Sequence, residues 1–131
     1  MSTWVIGIGC RRGVSVEQIH AAVSAALGTR PLASTRALAS IDSKKDETAL
    51  LEFAALHGLP LQFFSKQRIA RVETSASERV QALLGIDGVC EPCALLASRN
   101  GRIIVPKRVS DGVTIAIAED DPNHQTDNQR T

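Results

Sequence analysis

The chain is 131 residues long, 44% hydrophobic and 22% charged, with 15 basic and 14 acidic residues and a net charge of +1. That length suits one globular core, and the composition excludes wholesale disorder. Near-neutral charge, with 3% aromatic residues and no Tyr, argues against a nucleic-acid platform built on phosphate contacts and base stacking. No apolar run approaches the ~20 residues of a membrane span. Met1-Ser2-Thr3-Trp4 lacks the basic and apolar regions of a signal peptide. Three cysteines without an export signal fit reduced thiols in the cytoplasm.

In chain order, residues 3–8 (TWVIGI) form a short β-rich apolar run ending at Gly9. Ser15 and Gln18 then read as a capping box for a helix whose Val16, Ile19, Val23, Ala26 and Leu27 share one face, with Gly28 as its stop. A second buried strand is expected at 37–41, and Ser43 with Asp46 is expected to open a helix carrying Leu50, Phe53, Ala54 and His57. Strand LQFF at 61–64 leads to a basic loop, then to a helix capped by Ser75 and Glu78 and ending at Gly85. Pro92 suits the first turn of a further helix over 91–98. Segments 102–106 and 113–117, joined by a short connection containing Ser110-Asp111-Gly112, read as an antiparallel hairpin.

Strands alternating with helices imply an α/β domain, a three-layer α/β/α arrangement around a mostly parallel sheet with a C-terminal antiparallel hairpin. The expected domain is 1–118. From Glu119 to Thr131 the near absence of apolar residues predicts a disordered acidic tail. The tail carries four acidic residues and one basic residue, so 1–118 holds 14 basic and 10 acidic, a net of +4.

Gly7-Ile8-Gly9-Cys10-Arg11-Arg12-Gly13 lies between a strand and a capped helix, where anions bind. It matches neither a dinucleotide fingerprint nor a Walker loop, so no nucleotide cofactor is expected. Its glycines allow close backbone approach, and its arginines offer bidentate donors. The alternative is a tight turn with solvated arginines. Further cations follow the later strands: Lys44 and Lys45, then Lys66, Arg68 and Arg71, then Lys107 and Arg108. In a parallel sheet these ends share the edge where ligands bind. A ligand with several carboxylates or phosphates is therefore expected. Asp42, Asp46, Glu47 and Glu91 are the candidate acids or bases near that edge.

Cys90-Glu91-Pro92-Cys93 places a thiol at a helix start, which can stabilise a thiolate. Thiol–disulfide exchange and two buried small residues are the competing readings. No metal is expected, because His20, His57 and Cys10 show no ligand spacing. No catalytic triad is legible.

Taken in order, GIGCRRG at 7–13, ASIDSKKDE at 39–47, VCEPCALLAS at 89–98 and IIVPK at 103–107 resemble the cobalamin-biosynthesis family of CobE and the C-terminal domain of CbiG. The resemblance spans about residues 4–118. It implies a role in the corrin pathway and a precorrin or corrin intermediate as ligand, with other pathway enzymes as possible partners. It also implies a ligand site containing Gly7, Gly9, Cys10, Arg11, Arg12, Gly13, Ser40, Asp42, Lys44, Glu91 and Lys107. Corrin intermediates are ringed by acetate and propionate carboxylates, the polyanion that a basic strand edge suits. CbiG is a lactone hydrolase with further regions that have no counterpart here, so the resemblance leaves open whether the chain is a carrier, an enzyme or a docking domain.

Overall fold

The computed structural model describes residues 3–72 and 89–121. Its elements are β1 (Trp4–Cys10), α1 (Val16–Leu27), β2 (Thr35–Ile41), α2 (Thr48–Leu56), β3 (Leu61–Phe64), α3 (Lys66–Ala70), α4 (Cys90–Ala97), β4 (Arg102–Ser110) and β5 (Val113–Glu119). The helix expected from Ser75 to Gly85 lies outside the described residues.

One five-stranded sheet runs β3-β2-β1-β5-β4. β1, β2 and β3 are parallel, whereas β5 is antiparallel to both β1 and β4. The hairpin therefore enters beside the central strand, and β4 ends up running in the same direction as β1. Four strands end at one edge: β1 at Cys10, β2 at Ile41, β3 at Phe64 and β4 at Ser110. The hairpin turn is Asp111-Gly112, with φ of 52° and 83°, the left-handed pair that a two-residue hairpin needs.

β1 is buried at every position, as expected of a strand covered on both faces. Trp4, Ile6, Ile8 and Cys10 join one core with β5 residues Val113, Ile115 and Ile117, under α1 and α2. α1 contributes Ile19, Ala22, Val23, Ala26 and Leu27, the spacing of one helical face. Val5 faces the second core, with Ala37, Ala39, Ile41, Ile69 and Cys93. Two cores on opposite sheet faces are the physical content of the α/β assignment.

α4 lies against β1 with a face of small residues: Cys90, Cys93, Ala94 and Ala97 are all buried. A Cβ at Gly7 would overlap the Cys90 carbonyl oxygen and reach 2.9 Å from the Ala94 nitrogen. Glycine at position 7 thus lets helix and strand backbones approach.

Local departures have identifiable causes. The capping box of α1 forms as expected, but Ser43 and Asp46 do not open α2. A 3₁₀ turn occupies Asp42–Lys44, and α2 begins at Thr48, with Glu47 at the N-cap position but its side chain not capping the helix. The Asp46 carboxylate and the Ser43 carbonyl instead face Arg12. The basic segment after β3 is not a loop: Ser65 caps α3 through the Arg68 N–H. β4 continues past residue 106 to Ser110, so Lys107 and Arg108 lie within the strand. Glu119 closes β5, and Asp120 is buried, so the fold extends beyond the expected start of the tail.

Candidate functional site

The loop from Cys10 to Ser15 is held from two sides. The Arg11 N–H donates to the Gly112 carbonyl at 2.9 Å. The Gly13 N–H donates to Glu47 Oε2 at 3.1 Å, and φ of +83° at Gly13 accounts for glycine there. Arg12 Nη1 lies 3.5 Å from Asp46 Oδ1 and 3.7 Å from Glu47 Oε1, and Arg12 Nη2 donates to the Ser43 carbonyl at 3.3 Å. Gln18 completes the frame: Oε1 accepts the Ser15 N–H and Nε2 donates to the Asp111 carbonyl. An open depression of about 240 Å³ is lined by Arg11, Arg12, Gly13, Val14, Gln18, Asp111 and Gly112.

Several expected contacts are committed elsewhere. The Ser40 hydroxyl is fully buried and donates to the Ile8 carbonyl at 2.7 Å. Gly9 is buried, and its carbonyl accepts from Thr114 Oγ1. Cys10 is buried in the α1-side core, where burial raises its thiol pKa while Lys44 and Arg12 pull it down and Glu47 adds to the rise. Of the candidate acids and bases, Glu47 is buried and holds the loop, while Glu91 Oε2 accepts the Lys107 N–H at 2.9 Å. Asp42 is exposed. It is close enough to Cys93 to raise that thiol further.

Of the two readings of Cys90 and Cys93, the geometry favours two buried small residues. Both thiols are free and fully buried. Burial pushes Cys90 up to about 11 despite its hydrogen bond with Thr114, and raises Cys93 as well. A reactive thiol needs an accessible thiolate, whereas these two fill the small-residue face of α4.

What does gather at the strand ends is unpaired positive charge. Among the described residues Arg11, Lys44, Lys45, Lys107 and Arg108 have no ion pair, and only Arg12 of this group has carboxylate partners. Lys44 is 6% exposed. The strand-end cations were legible in the sequence. Gln18 and the Asp111-Gly112 turn were not read as site residues, although a capping Gln and a hairpin Asp-Gly were the signals available. His20 and His57 stack with ring centroids 5.9 Å apart against Phe53. No group of three metal-ligating side chains occurs among the described residues, and no helix there is long and apolar enough to cross a membrane.

Fold and site together define an α/β domain with a cation-rich carboxyl edge. The family described as "Cobalamin synthesis G C-terminus" matches residues 4–118, and the chain belongs to that family. It is thus a cobalamin-biosynthesis pathway protein. A cobalt-precorrin-5A hydrolase of Priestia megaterium is 34% identical over 116 residues, covering 86% of this chain but 31% of the relative. This chain therefore spans about a third of that hydrolase. Protein CobE of Sinorhizobium sp. is 34% identical over 120 residues, covering 87% of this chain and 78% of the relative. Among solved structures, CobE, a protein from the cobalamin (vitamin B12) biosynthetic pathway, superposes with a TM-score of 0.74 at 32% identity, covering 90% of this chain and 93% of its own. The cobalamin biosynthesis protein chiG from Agrobacterium tumefaciens superposes with a TM-score of 0.68 at 33% identity, covering 88% and 97%.

Proposed function

We propose that this domain binds a polycarboxylate precorrin or corrin intermediate at the carboxyl edge of its sheet, as a carrier or accessory of the cobalamin pathway. The observation that carries this reading is the set of cations without carboxylate partners among the described residues: Arg11, Lys44, Lys45, Lys107 and Arg108. Unpaired like charges held on one edge repel one another and attract a ligand of opposite sign. A macrocycle with several peripheral carboxylates can meet several of them at once. The free, buried cysteines accord with action in a reducing compartment such as the cytoplasm.

Binding is favoured over acid–base chemistry because Glu47 and Glu91 already accept backbone N–H groups. Both carboxylates serve the scaffold. A docking role beside another pathway enzyme is the second reading. It is favoured by the domain's relation to one third of a longer hydrolase.

The test is an absorbance titration of the protein with hydrogenobyrinic acid, and with cobinamide, whose peripheral acids are all amides. Saturable binding of the acid at micromolar concentrations, with weaker or no binding of cobinamide, supports the reading. Equal binding of both, or none of the acid, overturns it. Loss of affinity with rising salt is expected for an electrostatic site.

A further inference from the structure

Two adjacent arginines occupy the same loop, but their surroundings differ. Arg12 is already committed to Asp46, Glu47 and the Ser43 carbonyl. Glu47 is buried, and its second oxygen holds the Gly13 N–H. A ligand carboxylate arriving at Arg12 would compete with a protein carboxylate fixed in place. Arg11 has no ion pair or side-chain hydrogen bond among the described residues. Its aliphatic stem runs past Gly112: a Cβ built there would lie 3.7 Å from Arg11 Cδ and 3.9 Å from Cγ. The hairpin turn thus supports the stem while the guanidinium stays uncommitted.

We propose that Arg11 is the carboxylate-reading arginine of this loop, in a subsite between the start of α1 and the β4–β5 turn, and that Arg12 with Glu47 is a positioning brace. The proposal rests on the reading that the carboxyl edge binds a polycarboxylate. At about 240 Å³ the depression falls below the ~300–1,000 Å³ of a pocket that encloses a whole small molecule. It suits one carboxylate-bearing arm of a ligand whose body stays outside.

Asp111 sets the selectivity of the subsite. It lines the depression, and its carbonyl is held by Gln18 Nε2 at 3.0 Å. Its carboxylate has no hydrogen-bond or ion-pair partner among the described residues. Because it lines the same depression as Arg11, its charge moderates the affinity of the subsite for anions. Asn tolerates the left-handed φ of 52° at this position, so Asp111→Asn removes the charge and keeps the turn.

The experiment measures hydrogenobyrinic acid affinity and melting temperature for wild type, Arg11→Ala, Arg11→Lys, Arg12→Ala and Asp111→Asn. Arg11→Ala is expected to weaken binding at least tenfold with an unchanged melting temperature, and Arg11→Lys to recover part of the loss. Arg12→Ala is expected to lower the melting temperature and to change affinity less than threefold, measured well below its transition. Asp111→Asn is expected to bind more tightly than wild type, which a purely structural turn residue would not do. Wild-type binding that survives Arg11→Ala undiminished, or that Arg12→Ala reduces more than Arg11→Ala, overturns the assignment and leaves the edge reading standing. Absence of binding by wild type overturns both.

Discussion

At the amino edge of the sheet the Asp120 carboxylate receives Arg36 Nε at 2.8 Å, Arg36 Nη2 at 2.9 Å, the Thr3 hydroxyl at 2.7 Å and the Arg99 N–H at 2.7 Å. At the carboxyl edge, Arg11 and Lys44 have no carboxylate partner among the described residues. Arg102 at the amino edge is likewise paired, with Glu119 at 3.6 Å. The amino edge pairs its charges internally, while at the carboxyl edge only Arg12 among the strand-end cations is paired among the described residues. The same fold thus separates stability from recognition: the amino edge ties the N-terminus, β2, α4 and the chain after β5 together, while the carboxyl edge accepts electrostatic repulsion in exchange for a site.

The largest effect should come from breaking the satisfied edge. Losing charge-assisted hydrogen bonds costs about 1.5–3 kcal/mol each, and Asp120 accepts from Arg36, Thr3 and Arg99 in a partly buried site, so Asp120→Ala should give the largest destabilisation in denaturant unfolding. Corrin affinity, measured where the variant is folded, should not change. Acid should act through the same group. Burial alone would raise the Asp120 carboxyl, but hydrogen bonds from Arg36, Thr3 and Arg99 and the Arg36 charge outweigh it and hold the group at about 2. An unfolded Asp titrates near ~3.9. The stabilisation is therefore complete above about pH 4 and is lost as pH falls from there toward about 2. Asp120→Asn should flatten that part of the stability–pH profile.

Next in size is the helix–strand contact. Gly7→Ala forces a methyl into the Cys90 carbonyl, and overpacking of this kind costs about 1–3 kcal/mol. Its thermal transition should fall accordingly. Smaller still, and of opposite sign, is Lys44→Met. Lys44 is buried without an ion pair, and an unpaired buried charge costs stability. The variant should melt at or above the wild-type temperature while binding hydrogenobyrinic acid more weakly. A lower melting temperature would show that Lys44 belongs to the scaffold and would blur the contrast between edges. The smallest effect concerns the thiols: Cys90 and Cys93 should react with a thiol reagent only after unfolding, and fast reaction of the native protein would contradict their packing role.

Much of the fold was legible because local chemistry and tertiary packing agree there. Ser15 and Gln18 make the capping box that their spacing suggests, and Asp111-Gly112 makes the hairpin turn. The failures fall where a long-range partner won. Asp46 has the look of a capping-box residue, but Arg12, 34 positions away, takes its carboxylate. Asp120 reads as part of a polar tail, but Arg36 buries it from 84 positions away. Nothing local announces that α4 will lie across Gly7. In the site, the strand-end cations could be read from spacing alone. Which of them are already neutralised could not, since that depends on the pairing of separate loops.

The most direct test of the contrast between the edges is amide chemical-shift mapping of the ¹⁵N-labelled protein during titration with hydrogenobyrinic acid. Saturable shifts are expected to cluster at Arg11, Gly13, Lys44, Lys107 and Gly112, with Thr3, Arg99 and Asp120 unmoved. Shifts centred on the Asp120 cluster, or none at saturating acid, would contradict that contrast.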